Sequence, residues 1–342
     1  MIVTYIRSSS YGNYDFCQMQ YFMTYVLGHR SESGKKAQQG TACHKVMECL
    51  AACTKDVQDH PADKKTPRSI VDDALGEVSF TEAKLKTKKF VAQLMKDSYE
   101  HYTSQDSHKY YPADFKFCEK QVETALTFNE GQFDPRKRTI VDTEPTFDIP
   151  IEEEWAKYEY EMPNGEVIKG NLAIKGTIDL VTGIDDSIIE VIDWKTGQRK
   201  NWATGEEKTY EKLLEDPQLL LYNYAISKLY PNYEQAIMSI FFTRDGGPFS
   251  MCFDISDQQR FLNMLKARYE EIKNNIRPKP IKQNRMDFRC QKLCHFYKNN
   301  WPGTNTTMCQ HVEGRLHAIG YKETLKECTK EGFNIGYYES PG

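Results

Sequence analysis

The run SIIEVIDW, Ser187 to Trp194, constrains this chain more than any other stretch. It is apolar and β-branched almost without interruption, the pattern of a strand buried inside a sheet. Alternation along a strand places residues two apart on one face, so Asp193 and Lys195 project together from its end with only Trp194 between them. Opposite charges set side by side in this way are either a satisfied ion pair or a site. The surroundings have to decide.

Those surroundings change texture twice. Up to about residue 130 the chain reads as mainly helical: QQGTACHKVMECLAAC carries Ala42, Val46, Met47 and Leu50 at helical spacing, and SFTEAKLKTKKFVAQLMKDSYEHY repeats the stripe. The polar stretch CTKDVQDHPADKKTPR between them reads as a loop. From about residue 138, short β-rich runs follow one another, separated by the turn sequences PNG (Pro163 to Gly165) and GIDD (Gly183 to Asp186), which predicts a meander of antiparallel strands. A helix broken near Pro217, two strands (QAIMSIFFTR and SMCFDI) and the helix DQQRFLNMLKARYEEIKNNI complete the order. This predicts an α/β fold: one central mixed sheet flanked by helices. Three segments are expected: a helical N-terminal region (1–135) carrying Cys17 and His44, a core (136–276), and a Cys-rich tail (277–342) that packs back on the N-terminal region. The tail shows weak periodicity and too little apolar patterning to fold alone, so something else should hold it.

Bulk properties narrow the classes. A chain of 342 residues buries a sizeable core without disulfides, and a net charge of -4 excludes a basic field over the whole molecule. Any nucleic-acid surface is therefore local. KLKTKK (Lys84 to Lys89), RKR (Arg136 to Arg138) and RPKPIK (Arg277 to Lys282) are candidates, each also readable as a solvated face. The N-terminus lacks the apolar segment of a signal peptide and no run is long enough to span a bilayer, so a cytoplasmic or other reducing intracellular compartment is expected. Ten cysteines in such a compartment argue for free thiols or metal ligation.

The sequence KGTIDLV places Asp179 in the strand before the GIDD turn, and a short hairpin brings it close to Asp193. Two carboxylates on one face repel unless something positive lies between them, for which an oxygen-liganded divalent cation is the usual solution. Lys195 could then orient or deprotonate a water. On the bland reading, Asp193 and Lys195 pair with each other and Asp179 caps something nearby.

At this point the order of motifs resembles a family. G-x-x-D at Gly176 to Asp179, a strand ending in D-W-K-T-G, then Q-x-x-x-Y at Gln218 to Tyr222, preceded by GTACH with its helical His44, resembles the RecB-like branch of the PD-(D/E)XK nuclease superfamily. The resemblance implies a restriction-endonuclease-like core. It implies that Asp179, Asp193, His44 and the carbonyl of Trp194 hold Mg2+ or Mn2+, that Lys195 handles the attacking water, and that Gln218 and Tyr222, one helical turn apart, support the site and contact nucleic acid. Read alone, His44 is equally a core or surface histidine, and Gln218 and Tyr222 a polar face and a core aromatic. Glu48 could orient His44, and Glu144 is a further acidic candidate.

Cys17 follows SSSYGNYDF, while CQKLCHFYKNNWPGTNTTMCQH supplies Cys290, Cys294 and Cys309. The pattern is similar to the iron-sulfur members of the branch, the AddB-type helicase-nucleases and the CRISPR-adaptation nucleases. In these, one N-terminal and three C-terminal cysteines hold a [4Fe-4S] cluster that staples the chain ends together. Here the last three are spaced C-x3-C and then fourteen residues, longer than those relatives use. Cys290, Cys294, Cys309 and His311 would alternatively make a Cys3His zinc site. The implied activity is that of a metal-dependent DNA exonuclease acting on single strands or DNA ends. No P-loop occurs, so a helicase or recombination partner would be a separate chain. The competing functions are a non-catalytic nucleic-acid-binding module and a zinc-stabilised scaffold.

Overall fold

The computed structural model describes residues 1–30, 33–104, 106–200, 205–244, 247–281 and 288–336. The first elements are β1 (Tyr5–Arg7), α1 (Ser8–Phe16), α2 (Gln18–Tyr21), α3 (Lys35–Asp59), β2 (Arg68–Asp72), β3 (Gly76–Phe80), α4 (Glu82–Leu85), α5 (Lys88–Ser104) and α6 (Pro112–Thr127). There follow β4 (Thr139–Thr143), β5 (Thr146–Pro150), β6 (Lys157–Glu161), β7 (Val167–Asn171), β8 (Ala173–Thr177), β9 (Leu180–Gly183) and β10 (Ile188–Lys195). The last are α7 (Tyr210–Leu214), α8 (Pro217–Leu229), β11 (Gln235–Phe242), β12 (Gly247–Cys252), α9 (Ile255–Asn274), α10 (His295–Lys298) and α11 (Met308–Cys328). The fold is mixed α/β, with mixed sheets and flanking helices. Contacts gather it into two compact units, neither of them a continuous stretch: Met1–Glu32 with Phe147–Gly176 and Gln258–Gly342, and Ser33–Thr146 with Thr177–Asp257.

The second unit is built on a five-stranded sheet of order β12-β11-β10-β9-β4. The strand singled out from sequence is its centre: Ile189 to Trp194 of β10 are all buried. β10 pairs antiparallel with β9 but parallel with β11, in register from Ile188↔Gln235 to Lys195↔Phe242. The purely antiparallel meander thus ends at β10. The chain crosses over through α7 and α8 before β11, the long connection a parallel pair needs. Ile192, Trp194 and Phe241 pack against Val46, Met47 and Leu50 of α3 and Leu94 and Met95 of α5 in one core. Burying each such side chain contributes roughly 1.5–3 kcal/mol.

Two local expectations change here. The polar stretch after Cys53 continues as helix to Asp59, because Cys53 and Thr54 remain on the buried face of α3. Its far end enters a hairpin, β2–β3, which buries Val78 and Phe80 and turns at Gly76 with φ +70.

The first unit holds a three-stranded sheet, β1-β8-β5, and the hairpin β6–β7, so the strands do not share one central sheet. Gly176 closes on the ring of Phe147 so tightly that a Cβ would sit 2.5 Å from it. Arg268 of α9 lies over Tyr11 and Tyr14, and Asn275 bonds Tyr14 and Gln18, which fixes the N-terminal helices. The tail is better packed than its sequence suggests: α11 buries Val312, Leu316 and Leu325, and the Tyr321 hydroxyl accepts from Ile2 N. A kink at Gly320 (φ +80) divides the helix, which breaks its apolar stripe into two short ones and hides the period. Among the described residues no helix is long and apolar enough to cross a membrane.

Candidate active site

The site forms where β9 begins and β10 ends. The last pair of that ladder is Ile192↔Leu180, which brings Asp179 opposite Asp193. Asp179 lies in a bend just before β9, not inside a strand, and its Oδ2 accepts from the N–H of Trp194 at 2.9 Å. His44 reaches the same oxygen through Nδ1 at 3.3 Å. Gly40, one turn earlier in α3, makes that approach possible: a Cβ there would lie 3.0 Å from Thr196 Oγ1, just past Lys195.

On the other side, Lys195 Nζ lies 2.9 Å from Asp193 Oδ1 and 2.7 Å from Oδ2. Only the first contact is aligned as a hydrogen bond, and the buried Oδ2 has no well-directed donor. Helix α8 starts cleanly because the Asp216 side chain accepts from Gln218 N and Pro217 stands in the first turn. That start aims Gln218 at the site. Its Nε2 donates to Asp193 Oδ1 at 3.3 Å and to Tyr222 Oη at 3.0 Å, while the Tyr222 hydroxyl donates to Thr177 O at 2.9 Å.

The electrostatics follow from this crowding. Burial, reinforced by facing Asp179, pushes the Asp193 carboxyl up to about 6 against the pull of Lys195. Burial also acts to raise Asp179, yet the His44 imidazole, with Lys195 and the Trp194 N–H, outweighs it and holds that carboxyl below its usual range. His44 is raised because Asp179 overcomes the burial that would lower it, and Lys195 is raised because the carboxylates do the same. Lys195 therefore rests as an ammonium. His44 and Lys195 are 28% and 33% exposed, so the site opens to solvent.

The donor chemistry of these residues suits a divalent cation. Two facing carboxylates and an imidazole form a hard oxygen and nitrogen donor set, and Asp193 Oδ2 lacks a directed donor. Glu144 stands beside them in a left-handed conformation (φ 46), its N–H donating to Asp179 O, its carboxyl raised to about 7 by burial and the nearby Glu48. Glu48 does not turn to His44 as expected. It pairs with Lys45 at 2.6 Å, because that ammonium is the stronger attraction on the same helix. Asp72 and Asp73, from the hairpin turn, bond the same ammonium at 3.1 and 2.7 Å. These three acids come close enough together to hold an ion, but Lys45 already occupies their centre. No sequence signal pointed to this group, since Asp72 and Asp73 lie just past the polar stretch that ends at Arg68, outside every segment with a periodic pattern.

Elsewhere, Cys17, Cys290, Cys294 and Cys309 are buried in the first unit. Cys17 sits at the extended break between α1 and α2. Burial raises the Cys309 thiol, and the neighbouring Cys17, Cys294 and Cys290 add to it; Cys294 likewise feels Cys17 after burial. His311 stacks on Trp301, ring centroids 4.5 Å apart, with Arg315 and Glu327 as its charged neighbours. Of the basic clusters, Arg136 and Arg138 are tied to Asp134 and Glu190, and Lys86 to Glu82. Lys282, from the third cluster, lies outside the described residues.

The sequence profile of the PD-(D/E)XK nuclease superfamily matches residues 8–298. The chain belongs to this superfamily. No curated protein matches it in sequence. Among solved structures it is similar to a "Putative exonuclease" from Eubacterium rectale, with 11% identity, 82% of this chain and 86% of the other covered, and a TM-score of 0.40.

Proposed function

We propose that this superfamily member is a metal-dependent DNA exonuclease of the RecB-like, iron-sulfur type, acting on single strands or DNA ends. The observation that carries the proposal is the meeting of two bonded sets, His44 with Asp179 and Lys195, Gln218 and Tyr222 with Asp193, whose aspartates the β9–β10 register sets opposite each other. Asp179, Asp193, His44 and the Trp194 carbonyl would hold Mg2+ or Mn2+. When bound, the cation supplies an activated water and neutralises charge on the phosphate under attack. Gln218 fixes the rotation of Asp193, and Tyr222, anchored on Thr177 O, fixes Gln218. Lys195, an ammonium at rest, orients the water and meets the negative charge that develops as the new P–O bond forms and the 3′-oxygen leaves.

In the first unit, Cys17, Cys290, Cys294 and Cys309 would hold a structural [4Fe-4S] cluster. The nearness of Cys17, Cys290 and Cys294 to Cys309 supports the four-cysteine set over Cys3His zinc, as does the stacking of His311 on Trp301. A separate helicase or recombination protein would supply DNA ends in a reducing compartment.

End-labelled linear and closed circular DNA, incubated with Mg2+ or Mn2+, test the activity. Nucleotide release from linear DNA alone is the expected result; cutting of circles would refute end dependence, and inert wild-type protein with either metal would refute the nuclease. Metal analysis of anaerobically purified protein should find iron and sulfide, lost in Cys309→Ser. Zinc in their place would replace the cluster by the alternative site.

A further inference from the structure

Apart from the candidate site, the second unit displays a half-exposed aromatic ring flanked by cations. Tyr111, between α5 and α6, is 53% exposed, while its neighbour Tyr110 is half-buried. Tyr110 meets Tyr99 edge-on at 5.9 Å, Tyr99 meets Phe115 at 5.1 Å, and the Tyr110 hydroxyl donates to Asp106. Tyr111 thus follows an anchored neighbour in the chain. Two ammonium groups flank it: Lys35 Nζ lies 5.2 Å from its centroid and Lys109 Nζ 5.3 Å. Lys35 is spent on Asp114 and on Lys109 O, which braces the patch. Lys109 is exposed and has no acidic partner among the described residues.

We infer that Tyr111 with Lys109 is a binding subsite for single-stranded nucleic acid, in which an unpaired base stacks on the tyrosine and the lysine meets a flanking phosphate. A π-face beside cations is the chemistry that holds single strands without reading their sequence. A protein partner would want an apolar surround. The other large exposed apolar residues, Val71, Val167, Ile184, Tyr210, Ile276, Phe288 and Leu293, belong to other segments. A duplex keeps its bases stacked inside and would use the charges alone. The position also limits the role: Lys35 and His44 stand nine residues apart on α3, about 13 Å along the axis and on opposite sides of the helix. Tyr111 therefore holds the strand at a distance from the reacting phosphate. This assignment rests on the nuclease reading and names the form of its substrate.

The test is fluorescence anisotropy on the full chain without divalent metal, using labelled oligothymidines of roughly 16 and about 3 nucleotides and a duplex of the longer length. Tyr111→Ala should weaken binding of the long single strand about tenfold, leave the short one and the duplex unchanged, and be rescued by Tyr111→Trp. Lys109→Ala should lower the salt dependence of binding by about one ion. In turnover assays with metal, Tyr111→Ala should raise KM for long strands at constant kcat. Equal affinity of wild type and Tyr111→Ala for the long strand overturns the subsite, as does an equal loss on duplex. If wild type degrades DNA while Tyr111→Ala is indistinguishable from it, only the subsite falls; if wild type neither binds nor degrades DNA, the nuclease reading falls with it.

Discussion

Two lysines in the second unit keep company with carboxylates, and they do so differently. Lys45 is 6% exposed and is bonded by Glu48, Asp72 and Asp73 at 2.6 to 3.1 Å. Lys195 is a third exposed and pairs with Asp193, while Asp179 opposite is met by His44 and a backbone N–H. The first arrangement places an ammonium where a metal ion would sit. In the second, the Lys195 ammonium bonds Asp193, and Asp179 facing it is met by the His44 imidazole. Clustered acids alone therefore do not mark a metal site. What distinguishes one is whether a built-in cation already satisfies the cluster and whether solvent reaches it.

The largest effect that could break this contrast is on turnover. Asp193→Asn and Lys195→Ala should each lower metal-dependent nucleotide release by about a thousandfold or more, because each removes a group facing the charge that develops in the transition state. Release of acid-soluble nucleotide measures it; near-wild-type rates in either variant would place the chemistry elsewhere. Lys45→Met should act on the fold instead. It strands the buried Asp72 and the partly buried Glu48 without their counter-ion, at a cost of about 3–5 kcal/mol in denaturant unfolding.

How far these two groups could be read from sequence differs for a physical reason. Asp179, Asp193 and Lys195 lie on one hairpin, and Gln218 and Tyr222 on one helix face. Period-2 and period-3.6 patterns bring each set together within a short stretch of chain. The central strand β10 and the break at Pro217 were visible for the same reason. The parallel β10–β11 pair was not, since pairing direction depends on a crossover whose path no local pattern encodes. The knot around Lys45 joins a helix to a hairpin turn more than twenty residues away, with nothing but ordinary surface-type residues to announce it. Helix α11 was hidden by its kink at Gly320. The division into two units, each assembled from separated stretches, likewise has no compositional boundary.

A metal titration sharpens the comparison at the next scale. Mn2+ at about a hundred times its Kd should stabilise the wild-type protein against unfolding by about 2.7 kcal/mol. Asp193→Asn should abolish that increment, and Asp72→Asn should retain it although its baseline stability is lower. The reverse pattern would make the Lys45 group the cation site and dismantle the contrast drawn above.

The smallest effect concerns how the open lysine is held. The peptide of Lys195 is gripped by the residue that follows β11: Thr243 N donates to Lys195 O at 3.0 Å, and Thr243 Oγ1 lies 3.2 Å from that oxygen and 2.8 Å from Gln121 Oε1 of α6. One hydroxyl proton cannot serve both acceptors. Turning the Gln121 amide over resolves this, so that Nε2 donates to Thr243 Oγ1 and Thr243 donates to Lys195 O. Thr243 and Gln121 are both buried, so water does not replace either bond. Thr243→Val keeps the shape, breaks the relay and leaves the Gln121 amide unpaired, which should cost about 1–2 kcal/mol of stability. If the relay positions Lys195, kcat should also fall several-fold at unchanged KM and recover in Thr243→Ser. A stability loss with kcat intact would show that β10 alone fixes Lys195, leaving the Lys45 group as the only lysine of the pair that is held by side chains from other elements.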